Sequence, residues 1–169
     1  LVFDDVLFAS EEGGLEIRLA SLQARKIRLQ AEVKGTAPEF PQDLKDQAGS
    51  IVENELKLYQ SRMDELKTSL ERIKDEERST KSNIEEVRAS INKYSKSRSL
   101  LKKELDIATR LVASKAMPEI EKIRLERQYA EVNGDLQTAI EAKSSQEAKL
   151  SSIQKKSSEK LSAFKSDSL

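Results

Sequence analysis

The sequence contains no cysteine, no histidine and no tryptophan, and aromatic residues make up only 4% of its 169 positions. Without cysteine or histidine, the chain has no thiolate nucleophile, no disulfide, no imidazole base and no zinc site of the usual kind. Its 30 Lys and Arg residues balance 30 Asp and Glu residues, so it lacks the basic surface that displaces counterions from nucleic-acid phosphates. We therefore predict no metal site, no cofactor and no nucleic-acid partner.

Long apolar runs and targeting signals are also missing. No run approaches the roughly 18 residues needed to span a bilayer, and no basic-then-apolar signal sequence is present. The chain starts at Leu1 rather than Met, and we expect it to be a piece of a longer protein. Its 37% apolar and 36% charged residues, evenly mixed, favour a long amphipathic helix over a compact globule.

Glycine and proline are few, and they divide the chain into helical segments. Gly35, Pro38, Pro41 and Gly49 bracket one loop. Pro118 marks a second break, because proline inside a helix removes a backbone donor and clashes with the preceding turn. We predict helices over about residues 10–33, 50–116 and 119–165, a loop at 34–49 and a tip at 111–120.

The middle segment carries the strongest periodic pattern. Alternate steps of four and three residues from Val52 to Val112 meet apolar side chains at fifteen of eighteen positions; the exceptions are Glu77, Thr80 and Arg98. A repeat of 3.5 residues keeps such a seam on one side of a helix, which is the condition for a left-handed coiled coil. The other two segments carry shorter seams, formed by Leu15, Leu19, Leu22, Leu29 and Val33 in the first and by Leu125, Tyr129, Val132, Leu136, Ala139, Leu150, Ile153 and Phe164 in the third.

Helix lengths predict how the segments are arranged. At about 1.5 Å per residue, the middle helix is about 100 Å long, the third about 70 Å and the first about 36 Å. Because short loops join antiparallel neighbours, we expect helix 1 to lie beside residues 50–73, helix 3 beside 70–113, and the two chain ends to meet near 70–80. The predicted fold class is all-α, an elongated antiparallel coiled-coil hairpin of one long and two shorter helices.

The first nine residues form an apolar run interrupted by Asp4 and Asp5. A lone strand is unstable in water, so the run is either a frayed leader or the end of a β-domain whose other half follows residue 169. The predicted meeting of the chain ends favours the second reading.

Several phrases, taken in order, resemble the HlyD-type membrane fusion proteins, which are periplasmic adaptors of type I secretion. In that family an acid-acid-x-Leu-Phe phrase ends half of a lipoyl-like domain, and an Arg-Leu-x-Ala-Glu phrase precedes a loop with Phe-Pro. The second half resembles the family's turn and descending helix. The matching residues are Asp4, Asp5, Leu7, Phe8, Arg28, Leu29, Ala31, Glu32, Phe40, Pro41, Leu111, Val112, Met117, Pro118, Glu119, Ile120, Leu125, Glu126, Arg127, Gly134 and Leu136.

The resemblance implies the domain organisation. Residues 1–9 would end a lipoyl-like half-domain and leave a short β-remnant at the N-terminus. Residues 10–165 would form the helical hairpin domain, and residues 166–169 would return towards the lipoyl-like domain.

The resemblance also implies a function in a Gram-negative bacterium. The hairpin would stand in the periplasm and bridge an inner-membrane ABC exporter and a TolC-type outer-membrane channel. Anchoring in the inner membrane would come from a segment absent from this sequence, and the adaptors would form a ring, a hexamer by resemblance. The implied cargo is unfolded protein such as a toxin, a protease or an adhesin.

The tip is the predicted docking site for the channel. Adaptors of several transport classes carry an Arg, a Leu four residues later and a Ser seven beyond that; with Leu111 at the Leu position, Ile107 replaces the Arg and Pro118 replaces the Ser. We expect apolar docking in its place, and a plain turn between two helices is the alternative. The residues assigned to the docking tip are Arg110, Leu111, Val112, Ser114, Lys115, Met117, Pro118, Glu119 and Ile120.

Other functional classes give weaker predictions. Paired carboxylates could act as acid and base, but a coiled coil offers no concave pocket to perturb their pKa values, and no P-loop, GxSxG or calcium loop appears. We predict no enzymatic activity. The alternative function is a cytoplasmic coiled-coil scaffold or spacer arm without a transport role. Gly134 indicates either a tolerated weakness or a close helix approach, and the loop around Phe40 either caps the hairpin or contacts the transporter.

Overall fold

The structure, a computed structural model, describes the backbone of residues 2–168 and the side chains of residues 13–168. It contains three helices, α1 (Val2–Lys34), α2 (Gln42–Ala113) and α3 (Glu119–Ser166), and the described backbone forms no strand. None of these helices is long and apolar enough, within the described residues, to cross a bilayer. The all-α class predicted from the sequence is confirmed.

The N-terminal segment differs from the prediction. Residues 2–9, expected to be a β-remnant, belong to the backbone of α1, and their side chains lie outside the described residues. A single strand without a partner leaves its backbone groups unpaired, whereas a helix satisfies them within its own segment.

The start of α2 is interrupted close to the predicted helix start at residue 50. Ala48 has non-helical backbone angles, φ −141° and ψ 45°, which separate a short first segment from the long uninterrupted helix. Residues 35–41 form the connection from α1, and Gly35 ends α1 at a φ of 70°. The connection is therefore shorter than the predicted loop at 34–49, because residues 42–47 already form a short helical segment of α2.

The chain divides into two compact units, residues 1–73 with 156–169, and residues 74–155. In the first unit, the core is a cluster that joins α1, the connection and the start of α2. Its alanines have small side chains, which allow the two helices to approach closely, and Phe40 is only 7% exposed, so the connection caps this core. The cluster consists of Ala20, Ala24, Phe40, Leu44, Ala48 and Val52, with Ile27 and Ile51 packed against it.

In this first unit, α1 and α2 run in the same direction. Arg28 of α1 bonds Glu55, and Glu32, one turn later, is bonded by Arg62, so the contacts advance along both helices together. Residues 35–41 run back along α1, and Phe40 packs in the same cluster as Ala24. The ten helical residues from Ala24 to Lys34 are about 15 Å long. Seven extended residues can span this length, because they reach at most about 25 Å. The antiparallel arrangement expected from the short loop is wrong for α1, because an extended return segment replaces a tight turn.

The face of α1 that packs on α2 also differs from the predicted seam. Ala20, Ala24 and Ala31 are buried, whereas Leu19 and Leu22 are 58% and 59% exposed. At 100° per residue, these leucines lie on the opposite side of the helix from the alanines. The heptad seam of α1 is therefore present but does not face α2.

The second unit is an antiparallel pair formed by α2 and α3. Arg98 Nη1 donates to Asn133 Oδ1 at 3.4 Å, and Gln154 Nε2 donates to Glu77 Oε1 at 3.4 Å, so the register runs in opposite directions along the two helices. Arg98, an exception in the apolar seam, thus bonds across the pair. The buried residues are Thr80, Ile84, Ala108, Leu136, Ala139 and Ile153, all of them seam positions.

The two other polar exceptions in the seam of α2 are also satisfied. The Thr80 hydroxyl donates to the Glu76 carbonyl at 2.9 Å. Hydrogen bonds from Lys81 and Gln154 lower the pKa of the Glu77 carboxyl below its ordinary value. Both residues therefore fit the interhelical seam without leaving an unpaired side chain.

Candidate partner-docking tip

The tip of the second unit is a tight helix C-cap. Lys115 Nα donates to the Val112 carbonyl at 3.0 Å and Ala116 Nα donates to the Leu111 carbonyl at 2.8 Å. This pair of bonds is the Schellman motif, which needs a left-handed residue after the helix. Lys115 supplies it with a φ of 59°, although glycine is the usual choice. α2 therefore ends at Ala113, three residues before the predicted end.

Pro118 defines the start of α3. It stands directly before Glu119, and its carbonyl accepts a bond from Glu121 Nα at 3.1 Å. Proline suits this position because it has no backbone N–H to leave unpaired. Glu119 and Glu121 follow in the first turn, where carboxylates interact favourably with the helix dipole. The turn is thus short and fixed by local sequence.

The predicted docking residues differ in exposure. Leu111, Val112 and Met117 are half-buried. Ile120 is 61% exposed. The polar and charged members of the predicted tip, together with Pro118, are exposed; these are Arg110, Ser114, Lys115, Pro118 and Glu119.

Two further exposed isoleucines lie beside the tip and were not assigned to it from the sequence. Ile107 is 49% exposed and Ile123 is 48% exposed. The register of the second unit places residues 107 and 123 at nearly the same level, about two turns below the turn itself. The signal that identifies them is phase: Ile107 falls between the seam positions Leu105 and Ala108, so the helix directs it away from the partner helix.

Charges at the tip are only partly paired. Arg124 bonds Glu121 at 3.2 Å, an exposed pair of the kind that contributes little to stability. Among the described residues, Arg110, Lys115 and Glu119 form no ion pair. The tip thus offers both apolar and charged contacts to a partner. The described part of the chain has no group of His, Cys, Asp or Glu residues that could hold a metal ion.

A second polar cluster lies inside the first unit. Arg28 donates to Glu32 and to Glu55, each at 2.5 Å, and Glu32 also accepts from Arg62 at 3.2 Å. Ser168 donates to the same Glu32 carboxylate at 2.6 Å. The sequence signal for part of this network is the i,i+4 spacing of Arg28 and Glu32, but nothing in the sequence identifies the other partners.

These features define the class of the chain. α2 and α3 form a helical hairpin through the tip, and α1 packs on the start of α2. The chain belongs to the AprE family of long α-helical hairpins, whose family model matches residues 8–169. Among solved structures it is similar to the soluble domain of LipC, a membrane fusion protein of a type I secretion system. That match has a TM-score of 0.88 at 18% identity and covers 95% of this chain and 78% of that chain.

The comparison with curated proteins gave no match. The family and the fold therefore come from the hairpin model and the solved structure. Together they confirm the resemblance to membrane fusion proteins of type I secretion that the ordered phrases predicted.

Proposed function

We propose that this chain is the hairpin of a periplasmic adaptor that bridges an inner-membrane ABC exporter and a TolC-type outer-membrane channel. Its role is mechanical: the helices set a distance, and the tip contacts the channel. The proposal includes inner-membrane anchoring by a segment outside this sequence, assembly into a ring of six, and no enzymatic activity. The membership in the AprE hairpin family supports the adaptor class.

The observation that carries the proposal is the apolar exposure at the tip. Ile107, Ile120 and Ile123 place large side chains in solvent within two helical turns of the α2–α3 turn. Clustered apolar surface at the end of a charged helical pair is costly unless a partner covers it. Arg110 and Lys115 beside it supply positive charge for an acidic rim on the partner.

The structure selects Ile120 as the residue to test. Leu111 and Met117 are half-buried, so a charge there would also disturb the turn. Ile120 is 61% exposed at the start of α3, where an added carboxylate is favourable to the helix dipole. Ile120→Asp should leave the fold intact and weaken docking by about 2 kcal/mol, which is about thirtyfold in affinity.

The assay is export of the natural cargo by cells that carry the full-length variant in place of the wild-type adaptor, with circular dichroism of the purified protein alongside. Leu100→Asp is the matched control, because Leu100 is 59% exposed on α2 and lies more than two turns further from the tip. We expect Ile120→Asp to lose export and Leu100→Asp to retain it. Equal export by both variants would contradict docking through the tip.

A further inference from the structure

The two sides of the α2–α3 pair in the second unit differ in their contacts. In the heptad abcdefg, the seam of each helix occupies positions a and d, and positions e and g border the seam. Arg98 bonds Asn133, which is an e position of α3. A groove of about 250 Å³ on the pair is lined by Ser90 and Asp135, among others, which are g positions of α2 and α3. The e positions therefore border one side of the pair, the e side, and the g positions border the other, the g side.

Ile107 and Ile123 lie on opposite sides of this pair, and they are 49% and 48% exposed. Ile107 is a c position of α2, next to the g side, whereas Ile123 is a b position of α3, next to the e side. At about 100° per residue, each points about 130° away from its own seam, so the two side chains point in opposite directions. Nine residues from the Arg98–Asn133 bond, residue 107 lies opposite residue 124. The two isoleucines are therefore at the same height along the pair to within one residue.

Apolar side chains at one height on opposite sides are complementary between copies. When a second copy stands beside the first in the same orientation, Ile107 of one copy meets Ile123 of the next. Such a contact is heterologous, because it uses different surfaces of the two copies and leaves one isoleucine on each copy free for a further contact. A series of these contacts closes into a ring when each contact adds a small rotation.

The charges that flank the two isoleucines are complementary in the same arrangement. On α2, Lys103 and Glu104 are the neighbouring f and g positions, and on α3 the neighbouring e and f positions are Glu126 and Arg127; all four are exposed. Between copies in the same orientation, the f edge of α2 meets the e edge of α3, so Lys103 faces Glu126. The g edge meets the f edge, so Glu104 faces Arg127. Residue 104 lies opposite residue 127 in the register of the pair, and the copies therefore need no shift along their axes.

Three of these four charged residues have no ion-pair partner in their own chain. Among the residues that the structure describes, Lys103, Glu104 and Arg127 form no ion pair, and Glu126 pairs with Lys122 at 3.3 Å in a partly exposed contact. Glu104 and Arg127 can therefore pair with a neighbouring copy without breaking an ion pair within the hairpin.

The charges on α2 also disfavour a contact of this face with itself. Lys103 and Arg110 are successive f positions, so two copies that paired through α2 alone would bring like charges together, which is unfavourable. In the heterologous contact, Arg110 faces the Glu119 carboxylate of the next copy, within two residues of the same height. Attraction and repulsion therefore select the same arrangement.

The complementarity is confined to the last turns of α2 and the first turns of α3. One heptad further from the tip, Lys96 would face the neutral side chain of Asn133, and Leu100 would face only the methyl group of Ala130. Leu100 therefore lies at the rim of the contact, where individual side chains contribute little.

We infer that the last turns of α2 bind the first turns of α3 in a second copy of this chain. In this contact Ile107 packs on Ile123, and the ion pairs Glu104–Arg127 and Lys103–Glu126 form between the copies. The inference rests on the proposed function and deepens it, because it identifies the two faces through which the proposed ring assembles. Ile120, nearer the turn, stays available to the channel.

The test is oxidative disulfide crosslinking of the full-length adaptor with Ile107→Cys and Ile123→Cys in one chain, in cells that also contain its exporter and channel. This sequence contributes no other cysteine. Within one copy, the two positions lie on opposite sides of the pair and cannot reach the Cα separation of about 4.4–6.8 Å that a disulfide needs. We expect a ladder of crosslinked multimers on a denaturing gel and no ladder from either single variant.

The matched control for register is Ile107→Cys/Gln137→Cys. Gln137 is exposed and is also a b position, but it lies two heptads, about 21 Å, further along α3, so this variant should give no ladder. Charge reversal tests the ion pairs in the crosslinking variant. Glu104→Arg or Arg127→Glu alone should slow crosslinking roughly threefold, and the two together should restore the rate.

The inference is overturned if Ile107→Cys/Ile123→Cys folds, as shown by circular dichroism, and gives no ladder, whether or not cargo is exported. A ladder from Ile107→Cys alone would show that the α2 faces meet each other, and an equal ladder from the Gln137→Cys control would contradict the register. Export in the same cells is a separate measurement. A ladder without export would support this contact and contradict the proposed bridging function.

Discussion

The buried ion network of the first unit gives a prediction with a defined magnitude. Glu55, Arg28, Glu32 and Arg62 alternate in charge, and the two inner members have side chains that are 6% and 0% exposed. Arg28→Met keeps most of the side-chain volume but removes the charge between two carboxylates. Glu32 then stays buried with Arg62 and Ser168 as its remaining partners.

The expected cost is about 3 kcal/mol in the free energy of unfolding. Breaking a buried pair from one side typically costs about 3–5 kcal/mol, because it leaves an uncompensated charge. The bond from Arg62 to Glu32 survives and places the cost at the low end of that range. Removing both inner charges in Arg28→Met/Glu32→Leu leaves only the more exposed Glu55 and Arg62, so the double variant should lose less than the sum of the single losses by at least about 2 kcal/mol.

In the wild-type protein, Arg28 stays protonated and charged. Burial acts to lower the pKa of Arg28, but hydrogen bonds and charge from Glu55 and Glu32 outweigh burial and raise the pKa above its ordinary value. A raised pKa means that the stabilising contribution is complete below the unfolded pKa and is lost only as the pH rises through the folded value. The contribution of Arg28 to stability is therefore constant near neutral pH.

The assay is urea unfolding of the chain at pH 7, followed by circular dichroism. Lys57→Met is the matched control, since the Lys57–Glu53 pair is almost as short at 2.6 Å but both side chains are more than 60% exposed. The unfolding midpoint of this variant should stay near that of the wild type. If Arg28→Met unfolds at the same urea concentration as Lys57→Met, or if the double variant loses the full sum, the assignment of a buried, coupled network is refuted.

Further substitutions test the backbone. A Cβ at Gly134 would meet no atom within 4 Å, so Gly134→Ala should raise the unfolding free energy by about 1 kcal/mol. A decrease in the unfolding free energy, measured with urea, would instead indicate a close helix approach at Gly134. At the tip, Lys115→Gly should stabilise by about 0.5–1 kcal/mol, because the left-handed φ costs lysine more than glycine. The matched change Gly35→Ala places a Cβ in the equivalent left-handed position at the end of α1 and should destabilise; thermal unfolding that moves both variants in the same direction would contradict the shared cap geometry.

The sequence predicted the α2–α3 pair well because a long heptad pattern has one physical reading. Ile84, Ala108, Leu136 and Ile153 were all seam positions and are all buried. Pro118 likewise placed the start of α3 at Glu119. Both signals are local: periodicity selects a helix face, and proline fixes a boundary.

The sequence failed for α1, where two faces can each pack against a helix. The leucines form the heptad pattern of α1, yet the alanines Ala20 and Ala24 pack in the core with residues of α2. Periodicity shows that a face binds something and does not show what it binds. The direction of α1 relative to α2 was predicted wrongly for a similar reason. The sequence of the connection at 35–41 is compatible with a tight turn and with an extended segment that runs back along α1. At the tip, the exposed Ile107 and Ile123 were not assigned to the docking site, because both lie outside the apolar seam.

The bond between Glu32 and Ser168 joins residues 136 positions apart, and this separation has a consequence during synthesis. At about 5–20 residues per second, the ribosome adds Ser168 roughly 7–27 s after Glu32. During that interval Arg28 and Arg62 are the partners that keep the nascent Glu32 carboxylate paired, and both are synthesised within 30 residues of it. The two arginines therefore keep the Glu32 carboxylate paired before the turn that contains Ser168 is synthesised.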